Sequence, residues 1–188
     1  MSRRIILAST SPRRKDLLEK AGLTFEVVGS DYEEDMMLAR APAELAKHLS
    51  RGKAEAVAKK YADALVIGAD TFVVYEGSLL GKPHTPEKAK EMLEMLSGTM
   101  HTAITGFTII DTKDGESISE AVETKLYLKE LTEQEIDEYI ATGEPLDKAG
   151  AYGIQGVGQT LVAHIEGDYD NVIGLPVTAV LEALKRFE

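Results

Sequence analysis

The chain contains no cysteine. Disulfides, thiolate nucleophiles and cysteine-based metal sites are therefore excluded, and the zero count fits a cytosolic setting. Long apolar runs are also lacking. Ala64 to Ala69 is about the best on offer, far short of the ~18 residues that span a membrane. The start carries Arg3 and Arg4 before Ile5-Ile6-Leu7-Ala8, but polar residues interrupt it too soon for a signal h-region, so it reads as a mature first strand. Basic charge is scarce, with 21 Lys and Arg against 32 Asp and Glu, a formal charge of −11. A chain that grips long nucleic acid shows a basic face or a high pI, so nucleic-acid binding is disfavoured. Any anionic substrate must instead meet a few basic residues gathered in one place. The histidines, His48, His84, His101 and His164, show no ligand spacing such as H-E-x-x-H, and no serine sits in G-x-S-x-G.

What remains is ample for a core: 188 residues, 44% of them hydrophobic, enough for one α/β domain or two lobes sharing one cleft. Strand-length apolar runs alternate with helical patterns, the mark of an α/β fold. Arg4 to Ala8 reads as a buried strand, Pro12 to Ala21 as a helix closed by Gly22, and Phe25 to Val28 as a second strand before the polar stretch Gly29 to Arg40. A longer helix is expected from Pro42 to Tyr61, a strand over Leu65 to Asp70, and a hairpin around Glu76-Gly77 joining Thr71–Tyr75 to Leu79-Leu80. Pro86 to Leu96 carries a helical stripe of Ala89, Met92, Leu93 and Leu96. Two extended segments follow, Thr102 to Asp111 and Ser117 to Leu131, then a helix from Thr132 with Glu135 at capping-box spacing. Gly143 to Asp170 is glycine-rich with one strand, Leu161 to Ile165, and the last helix begins at Pro176. With no repeat, linker or low-complexity tract, residues 1–188 read as one domain.

Four places could carry chemistry. In Ser9-Thr10-Ser11-Pro12-Arg13-Arg14, Ser11 is a good N-cap and Pro12 suits the first helical position. Arg13 and Arg14 then fall in the first turn, where the helix dipole disfavours cations by ~0.3–1 kcal/mol each. Amides at such a terminus bind anions, and guanidinium forks add bidentate phosphate recognition. The ordinary alternative is a solvated basic turn. Lys53 shares a helix face with Leu49 and Val57, so its ammonium either snorkels to solvent, the commoner outcome, or enters a cleft. Asp70, in Gly68-Ala69-Asp70-Thr71 at the end of a hydrophobic strand, needs a metal, a cation or hydrogen-bond donors if buried; the alternative is a turn aspartate capping the hairpin. Glu33 offers a second carboxylate for a hard cation such as Mg²⁺, although Asp31, Glu34 and Asp35 surround it. Leu80-Gly81-Lys82-Pro83 echoes a P-loop, but the glycine spacing from Gly77 is too short and proline replaces the Ser/Thr. Lys82 remains a candidate phosphate contact, or a solvated turn lysine. Gly153-x-x-Gly156-x-Gly158 reverses the spacings of the dinucleotide fingerprint.

Taken in order, Leu7 to Arg14, Gly68 to Thr71, Leu80 to Pro83, Ser97-Gly98, Thr105-Gly106, Asp147 to Gly156 and Asn171 to Pro176 resemble the signature motifs of the Maf family of nucleoside triphosphate pyrophosphatases. The resemblance implies a two-lobed, mixed-sheet α/β fold with a central cleft, similar in architecture to the inosine triphosphate pyrophosphatases. It implies cleavage of a nucleoside triphosphate to monophosphate and pyrophosphate with a divalent cation, Mg²⁺ or Mn²⁺, by a cytoplasmic protein free of membrane and nucleic acid and open to homodimer formation. By this mapping Asp70 is the general base and, with Glu33, holds the metal. Ser9, Ser11, Arg13, Arg14, Lys53 and Lys82 handle the phosphates, and Arg13, Thr71 and Gln155 set base preference as in the subfamily acting on dTTP and UTP. An amide at Gln155 can donate to a pyrimidine carbonyl and accept from N3–H. A pyrophosphatase for modified purine triphosphates such as 7-methyl-GTP, and a non-catalytic nucleotide-binding regulator of cell division, are the competing readings. Asp70 and Glu33 together with the four cations favour catalysis.

Overall fold

The structure is a computed structural model that describes residues 3–36 and 38–187. Met1 and Ser2 of the N-terminal segment, and Met37 of the polar stretch, lie outside the described residues. In chain order the elements are β1 (Ile5–Leu7), α1 (Pro12–Lys20), β2 (Glu26–Val27), α2 (Pro42–Ala58), β3 (Leu65–Tyr75), β4 (Ser78–Leu80), α3 (Pro86–Leu96), β5 (Met100–Asp111), β6 (Ser117–Leu128), α4 (Glu133–Ala141), β7 (Val162–Glu166), α5 (Tyr169–Ile173) and α6 (Val177–Leu184). The sheet is mixed and seven-stranded, in the order β2-β1-β3-β5-β6-β7 with β4 on β3. β1 runs parallel to β2 and β3, whereas β3–β4 and β6–β7 are antiparallel.

The chain divides into two compact units. The first comprises Met1–Thr71, Thr105–Val122 and Gly174–Glu188, and the second Phe72–Ile104 and Glu123–Ile173. In the first unit, Ile6, Ala8, Ala54, Val57, Ala64, Val66 and Ile110 form a core between α2 and the strands. In the second, Leu93 and Leu96 of α3 and Ile136 and Tyr139 of α4 pack with Leu126, Leu128, Tyr152 and Leu161. The expected Thr132–Glu135 capping box closes α4: the Thr132 hydroxyl accepts from the Glu135 amide, and the Glu135 carboxylate accepts from the Thr132 amide. Deep in the second unit His101 bonds the Tyr152 hydroxyl, and burial holds its pKa down to about 4, so it is neutral at pH 7.

Two differences from the sequence reading affect the functional site. Leu65–Asp70 and Thr71–Tyr75 are not separate segments but one eleven-residue strand, because Thr71, Val73 and Val74 are β-branched and nothing turns the chain at Asp70. Asp70 therefore lies inside β3 rather than at a strand end. Ser11 occupies the N-cap position of α1 with Pro12 following, yet its side chain makes no capping bond. Instead its own amide donates to Ser9 Oγ at 3.2 Å.

The packing of α2 on the sheet depends on glycine inside the strands. A Cβ built on Gly106 would lie 2.2 Å from the backbone carbonyl of Ala46, and one on Gly68 would lie 2.3 Å from the Ser50 carbonyl oxygen and 2.7 Å from the Ala54 amide. Helix backbone thus rests directly on strand backbone, and glycine in a strand marks such a close approach. The Ser50 hydroxyl, fully buried, reinforces the contact by bonding the Lys47 carbonyl and Thr108 Oγ1, each at 2.8 Å. Leu45, Leu49 and Val57 are fully buried on the same helix face. Gly106→Ala should cost about 1–3 kcal/mol by overpacking. Gly81→Ala, where an added Cβ meets nothing within 4 Å, should cost less than ~0.5 kcal/mol. Urea unfolding of the two variants checks the difference, and equal costs would contradict the close-approach account.

Candidate active site

Because Gly68 lets α2 settle onto β3, Lys53 does not reach solvent. Its side chain is 12% exposed, and its ammonium pairs with Asp70 Oδ1 and, at 2.7 Å, with Glu34 Oε1. The strand Leu65–Asp70 is buried throughout, and Asp70 itself is 6% exposed. Burial pushes the Asp70 carboxyl above its ordinary range. The Lys53 charge and hydrogen bond pull it back, Glu34 pushes it the same way as burial, and Arg14 opposes. Two carboxylates thus lean on one ammonium. Lys53 is turned to these two carboxylates rather than snorkelling to solvent.

Glu34 reaches this position through its neighbour. The Tyr32 ring lies against the backbone of Gly52, where an added Cβ would be 2.3 Å from Tyr32 Cζ. The Tyr32 amide also donates to Ser30 Oγ at 3.2 Å. Sequence reasoning chose Glu33 from this acidic run. The structure brings Glu34, itself exposed like Glu33, to Lys53 at 2.7 Å. No sequence signal separated the two, since Asp31, Glu33, Glu34 and Asp35 crowd one short segment. Glycine inside α2, costing about 1 kcal/mol relative to alanine in a helix, was the available hint that something lies against residue 52.

The arginine cluster is built from α1 and the Gly174 turn. Arg14 donates through Nε to the Gly174 carbonyl at 2.8 Å, through Nη1 to Ser9 Oγ at 3.2 Å, and through Nη2 to Thr71 Oγ1 at 3.2 Å. Three of its five N–H groups are therefore committed to fixing the guanidinium plane. Burial lowers the Arg14 pKa, the Asp70 charge opposes, and neighbouring Arg13 pushes it down further. Thr71 Oγ1 also bonds Thr105 Oγ1 at 2.9 Å and the Gly174 carbonyl at 3.3 Å. Gly174 has φ 137°, in the region that favours glycine. From the sequence, Thr105 and Gly174 stood only within the family motifs Thr105-Gly106 and Asn171 to Pro176, with no site role given to either. The Ser9, Arg14, Lys53, Asp70 and Thr71 side chains are therefore linked in the first unit, with Arg13 and Ser11 half-buried on the same turn.

Lys82 and Gln155 belong to the second unit, and both are exposed. Their segments are tied to each other: the Gly150 amide donates to the Gly81 carbonyl at 3.1 Å. Among the described residues no group of three or more His, Cys, Asp or Glu is arranged to hold a metal ion, and no helix is long and apolar enough to cross a membrane.

The fold has a counterpart in the Staphylococcus aureus Ham1 protein. That structure covers 98% of this chain and 100% of its own with a TM-score of 0.56, at 15% identity, a likeness of architecture alone. The family is set by sequence. The model of Maf-like proteins matches residues 4–187, and a Bacillus cereus protein named dTTP/UTP pyrophosphatase is 50% identical over 185 residues, covering 98% of this chain and 96% of its own. A Bacillus anthracis protein of the same name matches to the same extent. The chain belongs to the Maf family.

The paired charges give a pH test. Lys53→Met removes the main influence that lowers the Asp70 pKa, so the carboxyl should titrate higher and the acid limb of kcat/KM should move to higher pH. Activity should fall more at pH 6 than at pH 8. An acid limb unmoved in the variant would separate Asp70 from the proton transfer.

Proposed function

We propose that this protein hydrolyses dTTP and UTP to the nucleoside monophosphate and pyrophosphate; its Bacillus relatives bear the name dTTP/UTP pyrophosphatase. One observation carries the reaction type: a carboxylate 6% exposed inside β3, sharing Lys53 with Glu34 and lying within the field of Arg14. Any buried aspartate needs a cation or hydrogen-bond donors, but this one shares its cation with a second carboxylate, an arrangement that suits a site completed by a divalent ion and a polyanion. Arg13, Arg14 and Lys53 take up the phosphates, Ser9 and Ser11 add hydroxyl contacts, and Lys82 is a further candidate phosphate contact. Asp70 accepts a proton from water as its oxygen attacks the α-phosphorus. The α–β bridging bond breaks, and its electron pair leaves with pyrophosphate, whose charge the cations stabilise.

Asp70 and a carboxylate of the Glu33–Glu34 pair would hold the divalent cation. Their oxygens are the hard donors that Mg²⁺ or Mn²⁺ prefers, and an ion of this kind uses one or two carboxylates and completes its shell with substrate phosphates and water. When bound, it supplies neutralisation of the phosphate charge. Base selection rests with Gln155, whose amide complements the O4 and N3–H of thymine and uracil, helped by Arg13 and Thr71. CTP reverses that donor–acceptor pattern.

Asp70→Asn should lower kcat by ~10²–10⁴-fold while dTTP binding persists, and the wild type should release dTMP and pyrophosphate. A variant keeping most of its kcat, or first products of dTDP and phosphate, would defeat the reading. For the cation, Glu34→Gln should raise the Mg²⁺ concentration for half-maximal rate more than Glu33→Gln does. The reverse order would return the ligand role to Glu33.

A further inference from the structure

The glycine-rich segment that carries Gln155 is fastened by three side chains, Glu144, Tyr139 and Tyr169. Glu144 opens a 3₁₀ turn, Glu144–Asp147, immediately after α4. Its Oε2 accepts the Val157 amide at 3.1 Å, and its Oε1 accepts the Gly158 amide at 3.3 Å and the Tyr139 hydroxyl at 3.2 Å. The same hydroxyl accepts the Gly153 amide at 3.2 Å. On the near side of Gln155, the Ile154 carbonyl accepts from Tyr169 Oη at 2.8 Å. Gln155 is thus exposed, together with Gly156 and Val157, in a segment held on both sides. Glu144 is itself steadied by Lys148, which donates to its backbone carbonyl at 2.7 Å.

The glycines fit this arrangement. A Cβ on Gly156 would lie 2.9 Å from Glu144 Oε2, and one on Gly158 would lie 2.6 Å from Tyr139 Oη and 2.4 Å from the Gly153 carbonyl. The run Gly153-x-x-Gly156-x-Gly158, which fails as a dinucleotide fingerprint, is the spacing that lets backbone amides close around a carboxylate and a phenol. Three donors converge on an acceptor-only group, so a carboxylate suits the place and an amide does not. Burial raises the Tyr139 pKa, keeping its hydroxyl a donor.

We propose that Glu144 is a positioning residue for base selection: through two backbone amides and Tyr139 it fixes the segment from which Gln155 reads the pyrimidine edge. The proposal rests on the reading of Gln155 given above. A site that selects by hydrogen bonds discriminates only as well as its groups are held. Loosening the segment should therefore cost selectivity more than turnover.

The experiment compares kcat/KM for dTTP and CTP in the wild type, Glu144→Gln, Tyr139→Phe and Gln155→Ala, with amide exchange followed at Val157 and Gly158. Glu144→Gln should reduce the dTTP/CTP ratio by roughly 5-fold or more and accelerate exchange at both amides. Tyr139→Phe, which removes one hydroxyl and keeps the ring, should reduce the ratio less and provides the test if Glu144→Gln does not fold. Gln155→Ala should reduce the ratio at least as far. A ratio unchanged in Gln155→Ala overturns the base reading and this proposal with it. A ratio that falls in Gln155→Ala but holds in Glu144→Gln, or in Tyr139→Phe if that alone folds, overturns the positioning role alone.

Discussion

A carboxylate at 6% exposure in the middle of a strand is an expensive thing to build. Asp70 is there because Lys53 is there, and Lys53 is there because α2 lies backbone-to-backbone on β3 at Gly68. Taking away one partner of a buried ion pair costs about 3–5 kcal/mol, so helix, glycine, lysine and aspartate stand or fall together. The second carboxylate, Glu34, gives Lys53 two acidic partners for its one charge. Such an arrangement suits a site that is completed by a divalent ion and a polyphosphate.

Around that pair, Arg14 is held by neutral groups. Arg14 spends its Nε on a backbone carbonyl and one proton on each terminal nitrogen on hydroxyls, so the bonds that orient the guanidinium all go to neutral groups. This differs from the surface pairs elsewhere, such as Arg4 with Glu26 or Lys90 with Glu133 and Asp137, where each cation is matched by acid. In a protein with a net charge of −11, a guanidinium pre-oriented in this way costs little reorganisation when charge develops during reaction.

Much of this was legible in the sequence. The α/β alternation, the Pro12 start of α1, the α4 capping box and the grouping of Ser9, Arg14, Lys53 and Asp70 follow from residue pattern or from the family motifs, and the structure links these four side chains. What the sequence withheld depends on three-dimensional contact. Glu34 is distinguished from Glu33 only by which side chain faces α2, and the Gly174 carbonyl only by a backbone turn. Asp70 was placed at a strand end because an acid usually breaks an apolar run; tertiary pairing with Lys53 overrode that tendency. Glu144 lay within a glycine-rich segment whose regularity is visible only once its amides converge.

Where water attacks is the most direct test of the whole account. Hydrolysis of dTTP in water enriched in heavy oxygen should place the label in dTMP, since Asp70 directs water at the α-phosphorus. Label found in pyrophosphate instead would mean attack at the β-phosphorus and would contradict the central claim.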